Sequence, residues 1–302
     1  MSPWPSDDDR GRALERQWSR LDAKTFADLR PDEEAGTRPS IIFAPMIAET
    51  GQPLLISNLD LSRISSPGDF QPQELFLRLP DAAHELKIST AVRMSATFPY
   101  VTPAASLPTR PLLHVLDAGY LDNYGVGVAL AYLQQPDVID FISQYTSGVI
   151  LVQINAFPAE IGGAPALAGK VMDACSEAVS ATGEDWLSRT ISTASSPLDG
   201  LFSSRGASTL FRNEQEFGIL KQLLKFGPRG QPISLDRVVF EYSSRASYSW
   251  FLPQGDFKCM QNELKDPDPE FEQALSKLEA FWRAPPLAPP DAEPVPPEPA
   301  GP

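Results

Sequence analysis

The chain has 302 residues, of which 42% are hydrophobic and 21% charged, a composition typical of a globular protein with a substantial core. Its formal net charge of -14 argues against a nucleic-acid partner and against nonspecific adhesion to anionic membranes, because like charges repel. Cys175 and Cys259 are the only cysteines, which excludes a disulfide framework. With His84 and His114 as the only histidines, we expect no metal site and no cofactor.

The amino terminus shows no targeting signal. The sequence MSPWPSDDDRGR is acidic and lacks the basic and apolar regions of a secretory signal. No stretch approaches the roughly 18 apolar residues of a membrane-spanning helix. We therefore expect a cytoplasmic protein by default, with upstream targeting signals left open.

The first predicted element is a helix from about Gly11 to Leu29. The acidic run Asp7 to Asp9 can cap this helix and complement its dipole. A loop with several breaking residues follows from Pro31 to Pro39. We assign residues 1–39 to an N-terminal helix and loop. The helical spacing rests on four apolar residues, Leu14, Trp18, Leu21 and Phe26.

Two strands and a helix are predicted next. Ile41 to Ile47 and Pro53 to Ser57 are typical of strands joined by a turn at Glu49, Thr50 and Gly51. The alternating segment Glu74 to Leu79 favours a short edge strand. Leu86 to Pro99 has helical spacing, and its closing proline ends the helix.

The central stretch is LLHVLDAGYLDNYGVGVALAYL, Leu112 to Leu133. Its apolar strand stops at Asp117, a helix runs from Val126 to Leu133, and Val149 to Ile154 is typical of a buried strand. This strand, helix, strand order predicts an α/β sheet, with Asp117 at the sheet rim where function concentrates in open α/β folds. On its own, Asp followed by Gly two residues later is equally ordinary turn chemistry.

The second half of the chain is predicted to be mostly helical from Ala164 to Phe226. Its last part, Thr209 to Phe226, is amphipathic with basic residues at one end. Such a helix can lie on a lipid surface, but more often it packs on its own sheet, which is the interpretation we favour. Ile233 to Tyr242 is typical of a strand, and Asp268 to Trp282 of a helix. We assign residues 40–283 to one α/β domain and residues 284–302, which are rich in proline, to a disordered tail.

Four segments in this order resemble the second half of a patatin-like phospholipase domain. They are IIFAPMIAETGQPLLISNLDL from Ile41, VRMSATFPYVTP from Val92, DAG from Asp117 and DNYG from Asp122, and together they cover roughly residues 40 to 155. The resemblance implies an α/β fold with a mixed sheet flanked by helices. It also implies that Asp117 is the catalytic aspartate of a serine-aspartate dyad that hydrolyses phospholipids or other acyl lipids, with peripheral membrane contact.

The chain also departs from the family pattern. It contains no G-x-S-x-G nucleophile motif, and no glycine-rich loop upstream of Asp117 that would supply oxyanion-hole amides. Ala118 and Ala44 stand where the family has glycine and often asparagine. Within the Val92 segment, Arg93 on its own is typical of a surface charge, and we interpret Ser95 as a small packing residue.

Three interpretations follow from an aspartate motif without its serine motif. In the first, the serine lies on an upstream segment or a separate polypeptide, and this chain is the carboxyl-terminal part of an acyl hydrolase. In the second, the chain is a catalytically inactive patatin-like module that binds lipid or a protein partner. In the third, it is a truncated fragment whose incomplete sheet exposes unpaired backbone.

Overall fold

The computed structural model describes residues 10–18, 21, 23–64, 72–97, 103–122, 124–146, 148–155, 208–225, 233–241, 254–265, 267 and 269–283. The chain divides into two compact units, one of Met1–Gln135 with Pro197–Glu216 and one of Pro136–Ser196 with Phe217–Pro302. The tail predicted at 284–302 lies outside the described residues. The predicted domain boundaries at 39/40 and 283/284 stay predictions.

The first unit begins with two helices, α1 (Arg10–Gln17) and α2 (Phe26–Glu34). The prediction of one helix to Leu29 was wrong because Thr25 starts a new helix. Its hydroxyl accepts a hydrogen bond from the Asp28 amide, and the Asp28 carboxylate accepts one from the Thr25 amide at 2.8 Å. Helix α2 continues through Pro31 to Glu34, so the predicted loop from Pro31 to Pro39 was wrong for its first four residues and right for the rest.

A small antiparallel sheet lies at the centre of the first unit. Its strands are β1 (Met46–Ile47), β4 (Ala105–Leu107) and β5 (Leu113–Leu116), in the order β1-β5-β4. The predicted turn after β1 is confirmed, since the Ile47 amide donates to the Gln52 carbonyl at 2.9 Å. Gly51 adopts the left-handed φ of 69° that this turn requires.

A second pair of strands, β2 (Leu54–Leu55) and β3 (Gln73–Glu74), is parallel. Helix α3 (Leu75–Arg78) follows β3 directly, so the edge strand predicted for residues 74–79 was wrong. Leu75, Phe76 and Leu79 all reach the same core, and that spacing suits a helical turn better than the alternation of a strand.

Three further helices complete the first unit before residue 136, namely α4 (Ala82–Glu85), α5 (Ile88–Ser95) and α6 (Val126–Leu133). The helix predicted at 126–133 is confirmed, and the helix predicted for 86–99 is present as the shorter Ile88–Ser95, with residues 98 and 99 outside the described part of the chain. The main core joins α2, α5 and the antiparallel sheet, and Phe26 packs edge to face on Phe43 and Phe76 with ring centroids 6.1 and 5.2 Å apart. A smaller apolar cluster places α6 against Leu55, Leu61 and Ile64.

The second unit contains a two-stranded parallel sheet. Strand β6 (Gly148–Asn155) pairs with β7 (Ser234–Glu241) along its full length, and both strands were predicted. The expectation of a buried β6 was only partly right, because the Ile154 side chain is 75% exposed. Among the described residues β5 and β6 belong to different sheets, so the predicted strand, helix, strand order does not produce one sheet there.

Within the described residues, four helices belong to the same unit as this sheet. They are α7 (Pro136–Tyr145), the part of α8 (208–225) from Phe217 onward, α9 (Gln254–Lys265) and α10 (Pro269–Arg283). Pro136 begins a helix, as suits a residue that lacks the amide proton. The Phe240 ring of β7 packs on Phe271 of α10 at 5.1 Å. The chain is therefore a mixed α/β protein with small sheets flanked by helices, and within the described residues no helix has both the length and the apolar character to cross a bilayer.

A buried ion pair links α1 to α5. The Nε of Arg93 lies 2.6 Å from the Oε1 of Glu15, and each side chain is only 2% exposed. The contact is electrostatic, because these two atoms do not meet the angles of a hydrogen bond. Arg12 also approaches the Glu15 carboxylate, at 3.5 Å. The interpretation of Arg93 as a surface charge was therefore wrong, since a partner 78 positions earlier in the chain lets it be buried.

Removing one charge of this pair should strongly destabilise the fold. We expect Arg93→Met to lower the free energy of unfolding by about 3 kcal/mol, because the buried Glu15 carboxylate loses its nearest cation. Urea unfolding followed by tryptophan fluorescence measures the change. The matched control is Arg38→Met, whose exposed contact with Asp32 at 3.5 Å should contribute at most about 1 kcal/mol. Equal effects of the two substitutions would contradict a structural role for the buried pair.

Candidate functional site

Asp117 follows the central strand of the antiparallel sheet. Its amide donates to the Thr97 carbonyl at 3.2 Å, and its Oδ1 accepts the Gly119 amide at 2.6 Å. Asp117 thereby caps a short 3-10 helix, Ala118–Tyr120. The prediction of an aspartate-led turn at the end of a strand is confirmed. The strand is antiparallel to both neighbours, so the rule for the carboxyl ends of parallel strands does not apply here.

The Asp117 carboxyl is half-buried, and this burial raises its pKa above the ordinary value. The hydrogen bond from the Gly119 amide acts in the opposite direction and is the weaker effect. Among the described residues Asp117 makes no ion pair, and its Oδ2 accepts no hydrogen bond. An aspartate with one fixed oxygen, one oxygen without a donor and a raised pKa is suited to accept a proton.

Asp122, the second acid of the stretch, has a structural role. Its Oδ2 accepts the Gly127 amide at 2.7 Å and its Oδ1 the Tyr124 amide at 3.3 Å. The Gly127 amide lies in the first turn of α6, where the helix itself offers no partner, and the Tyr124 amide lies in the loop just before the helix. Gly125, which lies between Tyr124 and the helix, adopts a left-handed φ of 67°. The neighbouring Asn123 lies outside the described residues.

The beginning of α8 closes over the same loop. The Thr209 hydroxyl donates to the Leu121 carbonyl at 3.2 Å, and Asn213 is 2% exposed. A Cβ on Gly127 would lie 3.0 Å from the Asp122 Oδ2 and 3.2 Å from the Asn213 Oδ1, so this position needs glycine for space. Sequence reasoning missed this contact because 88 positions separate Thr209 from Leu121 and no motif connects them.

An additional carboxyl lies near Asp122. Burial raises the pKa of Glu216 on α8, while Arg212 lowers it and the negative charge of Asp122 raises it further. The Arg212 Nε is 3.8 Å from the Glu216 carboxylate. Among the described residues no group of three or more His, Cys, Asp or Glu side chains is arranged to hold a metal ion. Cys175 lies outside the described residues, so the disulfide prediction stays untested.

Other residues of the resembling segments make contacts that do not involve Asp117. Glu49 of the predicted turn contacts His114, and Arg93 pairs with Glu15. Ser95 is half-buried at the end of α5, and its hydroxyl has no hydrogen-bond partner among the described residues. Phe98 and Pro99 lie outside those residues. Comparisons with protein-family models, with curated proteins and with solved structures gave no match.

The structural role of Asp122 can be tested by stability. We expect Asp122→Ala to lower the free energy of unfolding by about 1 kcal/mol, because amides at the start of α6 lose their acceptor. Asp122→Asn keeps one side-chain oxygen and should lose less. Chemical denaturation of the three proteins gives the comparison. If the alanine variant were as stable as the wild type, the carboxylate would not be capping the helix.

Proposed function

We propose that this chain is the aspartate-bearing part of a patatin-like acyl-lipid hydrolase, in which Asp117 is the general base of a serine-aspartate dyad. The ordered set of four resembling segments is the motivation. The observation that carries the proposal is the Asp117 carboxyl, which ends a strand, is held through one oxygen and has a pKa raised by burial. A patatin-like mixed sheet is part of the same proposal.

In the proposed reaction the Asp117 carboxylate removes the proton of a serine hydroxyl as that oxygen attacks an ester carbonyl. The bond from the carbonyl carbon to the leaving alcohol breaks, and the protonated Asp117 returns the proton to that alcohol. Water then attacks the acyl-serine, with Asp117 again accepting a proton. Because these 302 residues contain no G-x-S-x-G motif, the serine belongs to an upstream segment or a separate polypeptide.

A phospholipid or another acyl lipid is the proposed substrate, and it requires contact with a lipid surface despite the net charge of -14. The second unit offers a local surface for such contact. Ile219 and Leu223 of α8 are exposed, at 57% and 51%, and Lys221 and Lys225 on the same helix are also exposed. Exposed apolar and basic side chains on one helix are the combination that interfacial helices use.

The proposal is tested first by removing the base. The DNA immediately upstream is read for a G-x-S-x-G motif and a glycine-rich loop, and the joined protein is assayed for release of fatty acid from phospholipid vesicles. We expect Asp117→Asn to lower kcat/KM by about 100-fold or more, because the serine loses its proton acceptor. Asp140→Asn, a change at an exposed acid on α7, is the matched control. Unchanged activity in Asp117→Asn would remove Asp117 from catalysis.

The raised pKa gives a pH signature. A general base must be ionised, so kcat/KM of the joined protein should rise with pH through a value above the ordinary aspartate pKa of about 3.9. Because the folded state holds this proton more tightly than the unfolded state, the wild type should gain stability relative to Asp117→Asn as pH falls through the raised pKa. Melting temperatures across pH 4 to about 7 measure the second effect without any activity. Parallel curves for the two proteins would contradict the raised pKa.

A second candidate function is a patatin-like module that binds lipid or protein without turnover. The absence of a G-x-S-x-G motif among the 302 residues favours it for this polypeptide alone. Release of fatty acid from phospholipid vesicles by the purified chain, lost in Asp117→Asn, would overturn it. We expect little or no Asp117-dependent turnover by the chain alone.

A further inference from the structure

The antiparallel sheet places a serine directly opposite a histidine. In its register Ser106 of β4 pairs with His114 of β5. Leu113 and Val115 belong to the main core, so His114, which lies between them, projects from the other face of the sheet. Ala105 and Leu107 also belong to the main core, so Ser106, which lies between them, projects from the same outer face as His114.

A carboxylate holds the histidine in one orientation. The His114 amide donates to both oxygens of Glu49, at 3.1 and 2.9 Å, and the ring Nδ1 lies 2.6 Å from the Glu49 Oε1. A hydrogen on Nδ1 directed at the carboxylate leaves Nε2 as the basic nitrogen. Among the described residues neither Nε2 nor the Ser106 hydroxyl has a hydrogen-bond partner.

The serine and the histidine face each other across the strand pair. Residues directly opposite in an antiparallel pair have Cβ atoms about 4.5–5.5 Å apart, so with the ring held by Glu49, rotation of the Ser106 side chain alone can turn the hydroxyl toward the His114 ring. The His114 side chain is 43% exposed and that of Glu49 is 36% exposed, so a small electrophile can approach.

The ionisation of Glu49 fits this arrangement. Its burial on its own would raise the pKa, but the hydrogen bonds from the His114 amide and ring outweigh that effect and hold the pKa of Glu49 below its usual value. The carboxylate therefore stays ionised, which stabilises a proton on the ring when Nε2 accepts one.

We propose that Ser106, His114 and Glu49 form a nucleophilic site for small acyl esters that is separate from Asp117. Nε2 of His114 takes the proton of the Ser106 hydroxyl as Oγ bonds to the ester carbonyl carbon. The bond to the alcohol breaks, and the alcohol leaves with the proton from His114. Water then hydrolyses the acyl-serine with His114 as base and the carboxylic acid as product.

The test is covalent labelling of the 302-residue protein with an alkyl fluorophosphonate, followed by tandem mass spectrometry. We expect one label, on Ser106, and fragment ions must distinguish it from Ser95 on the same tryptic peptide. His114→Asn should slow labelling about 100-fold, because the hydroxyl loses its base. Glu49→Gln should slow it about 10-fold, because the ring loses the carboxylate that orients it.

Two control variants and the position of the label separate this site from other serines and from Asp117. Ser62 is exposed and its hydroxyl contacts the Asp60 carboxylate at 2.5 Å without a histidine, so Ser62→Ala should leave labelling unchanged. Asp140→Asn, a change at an exposed acid on α7, should also leave it unchanged. Because the label is located on Ser106 itself, this site and the proposed dyad fail independently. Thermal melts verify that each variant is folded. Three results would overturn the proposal: no label on the wild type, a label on a different serine, or equal labelling rates in the wild type and folded His114→Asn. Ser106, His114 and Glu49 would then be only polar side chains on the outer face of the sheet.

Discussion

The register of β5 is the constraint on which the arrangement of this protein depends. Successive side chains of a strand point to opposite faces. A slip by one residue would therefore place His114 in the core and turn Val115 to the outer face. The strand is held on both sides, by pairs such as Ile47 with Val115 and Ser106 with His114. The apolar side chains of Leu113 and Val115 determine which face of β5 turns toward the core, because both are buried in this register and both would be exposed after a slip by one residue. Asp117 is placed by the same register, at the point where β5 ends.

Two acids five positions apart show how environment decides the role of a carboxyl. Asp122 accepts one amide from the first turn of α6 and one from the loop before it, so its charge is used to hold the helix start. Asp117 gives one oxygen to the Gly119 amide and is half-buried, which raises its pKa. The sequence shows two similar aspartates near glycine, and the hydrogen bonds distinguish a structural residue from a candidate base.

Elements with strong local signals could be predicted from the sequence. The apolar periodicity of α5 and α6, the apolar run of β5 and the Glu49 to Gly51 turn all appear where the residues indicated. The segment at 74–79 was harder, because a short apolar alternation also fits a helical turn when the core lies to one side.

Long-range contacts could not be predicted, because no local pattern encodes them. The partner of Arg93 lies on α1, and the residues that close over Leu121 lie on α8. For the candidate site, the sequence was sufficient for the position of Asp117 at a strand end and for its turn. It was not sufficient for the pKa of Asp117 or for the separate role of Asp122.

The pKa values of the two carboxyls beside β5 are shifted in opposite directions, because the two groups differ both in burial and in the number of donors that each receives. Glu49 accepts the His114 amide and ring, which outweigh its burial and lower its pKa. Asp117 receives one amide, which does not offset its burial, so its pKa rises. A carboxyl with a lowered pKa is a poor proton acceptor but a good permanent anion beside a histidine. A carboxyl with a raised pKa is the better acceptor, which suits Asp117 to the proposed base role and Glu49 to the proposed orienting role.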